Sequence, residues 1–390
     1  MPEFTLWAAR CGTMLEAGSP SNDILWFLGE TVDHKPSEKS PFPKGYKYDY
    51  VNRDALMSRI SVKNGLFVTP EGSTWKVLWV PVVRWMPDEV KAKLERFSSE
   101  GGRIVYGGPD EVVEGMEPDV VVGVDAKGRI ISDWRKGEEQ VEWVHRSDGI
   151  CDWYFVAANG MDAYEGEVTF RATGNATVWD PVSGEVRTAD VVCRKDGTTT
   201  VHLDLAPAEG VFVVLDARSP VEKSNRAEDF REVSLGMWTL SFPVGWGAPS
   251  AFKLERLLPW AELPISEEGR HFSGTATYKA TFDAKAGVSL ACDLGVVETV
   301  AEVVVNGSKV RTLWSPPYRC EIDGRFVKDG TNELRVDVTS TWFNRLTYDQ
   351  GMPESERKTW THAAPGKDAQ LKSSGLVGPV TLWQRRDDRK

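Results

Sequence analysis

The chain is poor in histidine and cysteine, has no surplus of positive charge and contains no long apolar run; each shortage removes a class of function. Its five histidines, at positions 34, 145, 202, 271 and 362, are dispersed and give no nucleus for a histidine-based metal site. The five cysteines, Cys11, Cys151, Cys193, Cys292 and Cys320, form no Cys-x-x-Cys and no Cys/His spacing, so there is no zinc framework. A Cys292–Cys320 bridge would fit within one domain, but isolated cysteines are more often small buried hydrophobes and say nothing about export. Forty-seven Lys and Arg against 58 Asp and Glu leave a net charge of −11, the wrong sign for neutralising nucleic-acid phosphates. No stretch approaches the roughly 18 to 20 apolar residues of a membrane span. The opening residues have no basic segment followed by an apolar core, so they are not a signal peptide; the start reads as cytoplasmic or truncated, and no compartment follows.

What is present fits a folded chain of two to three domains: 390 residues, 41% hydrophobic and 27% charged. Sixteen Trp, 35 Gly and 22 Pro imply many tight turns and aromatic surfaces. That composition suits loop-rich β structure, and it also suits sugar binding, where rings stack on pyranose faces.

Residues 4–16 carry apolar side chains at Phe4, Leu6, Trp7, Met14 and Leu15 and stop before Gly18 and Pro20, which reads as an amphipathic helix. Its apolar face is expected to pack on the following α/β domain or to stay exposed. The run Asp23-Ile-Leu-Trp-Phe-Leu-Gly29 is the pattern of a strand buried on both faces of a parallel sheet. Asn52 is placed to cap a helix bearing Leu56, Met57 and Ile60, Asn64-Gly65 reads as a hairpin turn, and Lys76–Val80 is a further core strand. A helix begins near Pro87 and the strand Arg103–Tyr106 completes a βαβ unit. After about residue 140 the period becomes two-fold, with many short strands that read as a β-sandwich. Residues 219–232 are charged, contain Pro220 and read as a linker. Beyond it, strands such as Gly274–Phe282 and Asn332–Val338 alternate apolar and polar residues in a jelly-roll pattern.

Catalytic motifs are few. There is no GxSxG, HExxH, Walker loop or GxGxxG, and Gly107-Gly108 lacks the Ser or Cys of a nucleophile turn. No carboxylate pair can be chosen from 58 acids without a measured separation. The densest polar cluster follows the first strand, where Glu30, Asp33, His34, Tyr46, Tyr48, Asp49 and Asn52 gather acceptors, donors and rings at a sheet's carboxyl edge. A rigid interdomain loop explains the same residues. In the last domain, Trp314, Tyr318, Trp342, Asn344 and Arg345 lie in loops between strands, as in a sugar-binding sandwich, although packing explains them too.

Seven segments in order carry a resemblance: Asp23–Glu30, Pro43–Asn52, Arg59–Gly65, Trp179–Gly184, Trp314–Tyr318, Asn344–Leu346 and Ser374–Val380. Together they resemble the C-terminal half of the family 106 glycoside hydrolases, the α-L-rhamnosidases. The resemblance implies a large, often exported enzyme that removes terminal α-linked L-rhamnose from plant-type glycans by inversion. Two carboxylates on an N-terminal TIM barrel, with an associated calcium, would do this. The implied fold is multidomain α/β plus all-β: a remnant barrel helix (1–19), a small flavodoxin- or amidotransferase-like α/β domain (20–139), a small β-sandwich (140–218), the linker (219–232) and a jelly-roll, galactose-binding-like sandwich (233–390). The last domain also resembles the sugar-binding domain of family 2 hydrolases. Thr347-Tyr348 and Val51 depart from the family pattern, which puts the exact substrate in doubt. Nearly all of the barrel and both catalytic acids are expected upstream, so no residue here is assigned a catalytic role and no cofactor is expected.

Three functions follow: an inactive C-terminal part of an α-L-rhamnosidase, a stand-alone carbohydrate-binding protein, or an assembly module. The implied partners are a rhamnose-containing glycan and either a separate barrel chain or further copies of this chain; nucleic acid and membrane are not expected.

Overall fold

The computed structural model describes residues 2–30, 40–81, 85–123, 141–160, 162–219 and 230–385. They are mostly β-sheet with few helices, and the described strands close into no barrel. The chain divides into two compact units, Met1–Asn225 and Arg226–Lys390.

In the first unit, four parallel strands run in the order Tyr48–Val51, Ile24–Phe27, Val77–Trp79 and Arg103–Val105. The central strand is apolar throughout because both of its faces are covered. Leu25 and Phe27 join a cluster with Leu56, Val90, Leu94 and Phe97, while Ile24 and Trp26 join Phe42, Trp79 and Val112 on the other side. The helix Asp88–Ser99 supplies Val90, Leu94 and Phe97 from one face, at helical spacing. Asn52 caps the helix Arg53–Ser58 by accepting from the Ala55 amide. The two-residue turn between Ser61–Lys63 and Leu66–Val68 has Asn64 at φ 52° and Gly65 at φ 78°, the doubly left-handed form that Asn-Gly adopts readily. Gly107-Gly108 opens the short helix Pro109–Val113.

The same unit holds two further sheets. One has six strands: Ser19–Pro20, Val141–Ser147, Cys151–Ala158, Gly210–Asp216, Asn175–Trp179 and Val186–Thr188, in that spatial order. The other has four: Asp190–Lys195, Thr198–Leu205, Tyr164–Phe170 and Val120–Val122. They share one core in which Trp143, Tyr154 and Val213 meet Val168, Phe170 and Val201. Ser19–Pro20 and Val120–Val122, from either side of the parallel-sheet segment, thus pair with sandwich strands.

The first helix, Pro2–Glu16, departs from expectation. Its inner residues Trp7, Cys11, Met14 and Leu15 pack on Cys151, Trp153, Phe212 and Val214 of the six-stranded sheet, not on the parallel sheet. Strand alternation explains this, because Trp153 and Phe212 present an apolar outer face that needs a cover. Leu6 points away and is 52% exposed. Gly18 makes the turn possible, since its φ is +60° and a Cβ there would collide with Ser147 and Trp153.

In the second unit, a four-stranded sheet (Phe230–Val233, Thr381–Arg385, Leu290–Asp293, Arg319–Ile322) and a six-stranded one share a core. The six run in the order Phe252–Leu254, Trp238–Ser241, Thr275–Ala284, Gly330–Thr339, Val300–Val305 and Ser308–Leu313. The alternation of Thr275–Ala284 is visible as buried Ala276, Tyr278, Ala280 and Phe282. Cys292 and Cys320 stand opposite each other on neighbouring strands, and no disulfide joins them.

Candidate functional site

In the second unit, the helix Phe343–Gln350 follows the long strand Gly330–Thr339 and begins at Trp342. Its inward residues are polar, an inversion of the usual pattern that requires every one of them to find a partner. Asn344 donates to the Lys372 carbonyl at 2.8 Å and to Ser374 Oγ at 3.1 Å, and accepts from the Lys372 amide. The buried Arg345 guanidinium reaches Asp349 at 2.7 Å, one turn on, and Glu268 at 2.8 Å. It also lies 5.3 Å from the Trp246 ring centre and 5.1 Å from that of Tyr348.

Trp342 and Leu346, four residues apart, occupy the opposite side of this helix. The segment after the turn Glu354–Glu356 returns across them because Asp349 holds it, accepting from the Lys358 amide, the Thr359 amide and the Thr359 hydroxyl. Lys358 is tied to the Gly245 carbonyl and to Glu268. The result is an open cleft of about 470 Å³ lined by Trp342, Leu346, Thr359, Trp360 and Thr361. Trp342 leans on Trp246 with centroids 5.6 Å apart and remains 48% exposed, while Trp360 is 70% exposed with His362 at its edge.

The charges behind the cleft are mutually neutralising. Burial opposes the charged form of Asp349, but hydrogen bonds from Thr359 and Arg345 outweigh it and hold the carboxyl below its ordinary range. Hydrogen bonds from Lys358 and Arg345 lower Glu268 in the same way. The lining of the cleft is therefore two indoles, an aliphatic side chain and two threonines. Such a surface can stack on a ring and hydrogen-bond its substituents; no acid or base lines it, and His362 stands outside the lining against Trp360.

Among the residues singled out from sequence, only Trp342 lines this cleft; Asn344 and Arg345 support it from inside. Tyr318 is buried and donates to the Thr299 carbonyl, and Trp314 is half-buried just after Ser308–Leu313. Trp246, Thr359, Trp360 and Thr361 were not anticipated. A tryptophan set between two threonines, at Thr359-Trp360-Thr361, was the available signal.

The cluster after the first strand is structurally engaged. Asp49 accepts from Trp75 Nε1 at 2.8 Å, Tyr46 donates to the Met116 carbonyl, and Asn52 caps its helix. Tyr48 packs among Trp26, Phe42 and Tyr50. Glu30, 7% exposed, lies 3.4 Å from Arg53, and its Oε1 has no hydrogen-bond partner among the described residues. Asp33 and His34 lie outside the described residues.

A second polar group in the first unit escaped the sequence reading. His145 lies between Asp119 (Nδ1, 2.8 Å) and Asp152 (Nε2, 3.0 Å) and stacks on Tyr154, while Arg171 joins Asp119 to Asp23. His145 and Asp119 are 4% and 2% exposed, which leaves no opening for a substrate and marks the group as an internal brace. Among the described residues no three His, Cys, Asp or Glu side chains converge as a metal site.

Comparisons with known proteins agree with a glycosidase relationship. Residues 2–119 match the family model described as alpha-L-rhamnosidase, glycoside hydrolase family 106. The solved rhamnosidase of Novosphingobium sp. PP1Y is 27% identical with a TM-score of 0.77, and the match covers 98% of this chain and 41% of that one. A Formosa agariphila protein named "Putative beta-glucuronidase" is 35% identical over 179 residues, covering 38% of this chain and 15% of its own length. The Ruminococcus gnavus β-glucuronidase is 17% identical with a TM-score of 0.31, over 43% of this chain and 30% of its own. The chain thus spans well under half the length of each of these relatives.

Proposed function

We propose that this chain is a non-catalytic, C-terminal part of a glycoside hydrolase of the α-L-rhamnosidase type, directed at rhamnose-containing glycans and silent as a hydrolase alone. The observation that carries the reading is the extent of the match: 98% of the chain follows 41% of the Novosphingobium rhamnosidase at a TM-score of 0.77. The family model over residues 2–119 supports the rhamnosidase relationship. On this reading the parallel-sheet segment, the first sandwich and a galactose-binding-like jelly roll are accessory parts. The reaction's two carboxylates and any calcium then belong to a barrel outside these 390 residues.

Nitrophenol release from an aryl α-L-rhamnoside tests the reading on protein shown to melt cooperatively. No turnover is expected. Turnover that disappears on Glu30→Gln or Asp49→Asn would overturn it, since catalysis would then reside in the parallel-sheet segment.

A second reading, a carbohydrate-binding module that works without hydrolysis, is favoured by one observation, the exposed pair Trp342 and Trp360. A mixture of this chain with a rhamnosidase barrel separates the two, because only the first predicts association.

A further inference from the structure

We propose that the cleft between Trp342 and Trp360 binds a neutral pyranose with an apolar ring face, of the deoxyhexose kind, and discriminates against uronates. The proposal rests on the carbohydrate reading above for the class of its ligand, and not on any hydrolase activity.

Shape comes first. The cleft's volume of about 470 Å³ falls within the range of small-molecule sites, and its indoles come from two separate segments. Trp342 is fixed at the start of a helix and backed by Trp246; Trp360 is carried by a segment tied down through Asp349. Exposed aromatic rings held this way lose little freedom when a ligand arrives, so stacking is not offset by ordering. Nothing in the core requires Trp360, which is 70% exposed.

Chemistry then selects among ligands. Leu346 lies with the indoles and suits a methyl group where a hexose would carry a hydroxymethyl; Thr361 brings a hydroxyl that suits ring hydroxyls, and Thr359, whose hydroxyl proton goes to Asp349, can only accept from one. No lining residue is charged. Arg345, behind the cleft, is committed to Glu268 and Asp349, and Lys358, next to Thr359, holds Glu268 and the Gly245 carbonyl. A uronate carboxylate entering the cleft would give up hydration without gaining a cation, whereas a neutral ring incurs no such loss.

Saturation-transfer NMR and titration calorimetry on the full chain test the proposal, with methyl α-L-rhamnopyranoside and methyl β-D-glucuronide as probes. Trp342→Ala and Trp360→Ala are the cleft variants, and Trp383→Ala, an exposed tryptophan of the same unit, is the control. The expected result is binding of the rhamnoside that weakens at least tenfold in each cleft variant, persists in the control and exceeds glucuronide binding at least tenfold. Binding that survives both cleft substitutions, equal affinity for the two probes, or no binding by cooperatively folded protein would each overturn it. Nitrophenol release reads the other proposal separately: hydrolysis by this chain would end the non-catalytic reading and leave the binding results to decide on the cleft.

Discussion

Asp349 and Thr359 are joined twice, the amide and the hydroxyl of Thr359 both donating to Asp349 Oδ2 at 2.7 Å. The other carboxylate oxygen lies 2.7 Å from Arg345, so one fully buried side chain links the helix Phe343–Gln350, the Trp360 segment and the charge network. Asp349→Ala should therefore act twice. It leaves the Arg345 guanidinium with Glu268 alone, a loss of up to about 3 kcal/mol for a buried pair broken on one side, and it releases the segment that presents Trp360. Urea unfolding checks the first effect and pyranoside binding the second. An Asp349→Ala protein with wild-type stability would show that Glu268 alone satisfies Arg345.

The same network sets an acid limit. Asp349 and Glu268 are both held below their ordinary ranges, so the stability they contribute is complete above about pH 5, where the unfolded carboxyls are already largely ionised. It is lost as pH falls through the lowered folded values. Melting temperatures between pH 5 and pH 2.5 should fall more steeply for the wild type than for a Glu268→Gln, Asp349→Asn double variant. Parallel curves would mean that these carboxyls titrate as they do in the unfolded chain.

The fold was legible wherever the determinant was local. Asn52 as a cap, Asn64-Gly65 as a turn and the all-apolar strand Ile24–Phe27 each follow from a few adjacent residues, and each stands as read. The site was legible only through Trp342. Asn344 and Arg345 belong to the same short stretch, yet they face inward, because their partners Ser374, Lys372 and Glu268 are 28 to 77 residues away in sequence. Trp360 went unnoticed for the converse reason: its exposure depends on Asp349 holding the segment that carries it, a contact that no periodicity encodes. The first helix was misplaced because amphipathicity reveals that a face must be covered and not which sheet covers it.

That helix is bound polar as well as apolar. Arg10 donates to the Pro181 and Val182 carbonyls at 2.9 Å, Trp153 Nε1 donates to the Met14 carbonyl at 2.7 Å, and Arg146 reaches the carbonyls of Glu16, Ala17 and Gly18. Deleting residues 1–18 should uncover Trp153, Phe212 and Val214 together, lowering the melting temperature of the first unit and promoting aggregation. Arg10→Ala, which leaves the apolar cover in place, should cost only about 1 to 2 kcal/mol. A deletion variant as soluble and as stable as the full chain would mean that the helix does not cover this sheet.

His145 makes the opposite prediction about pH. Its two ring nitrogens each face a carboxylate oxygen, of Asp119 and of Asp152, and only the imidazolium donates from both. Burial lowers its pKa, but the hydrogen bonds and charges of Asp119 and Asp152 prevail and raise it above its ordinary value. Tyr154 stacks on the ring with centroids 3.9 Å apart and donates to Asp119, and Arg171 approaches Asp119 at 3.5 Å. Those contacts compete for Asp119 without displacing the imidazole. Because the folded value lies above the unfolded one of about 6.5, the stabilisation is complete below that pH and declines as pH rises through the folded value. Calorimetric melts from pH 6 to pH 9 should show the first unit losing stability in the wild type relative to His145→Gln, whose amide carries no titrating proton. A gap between the two proteins that stays constant with pH would mean that His145 sits between its two carboxylates as a neutral ring.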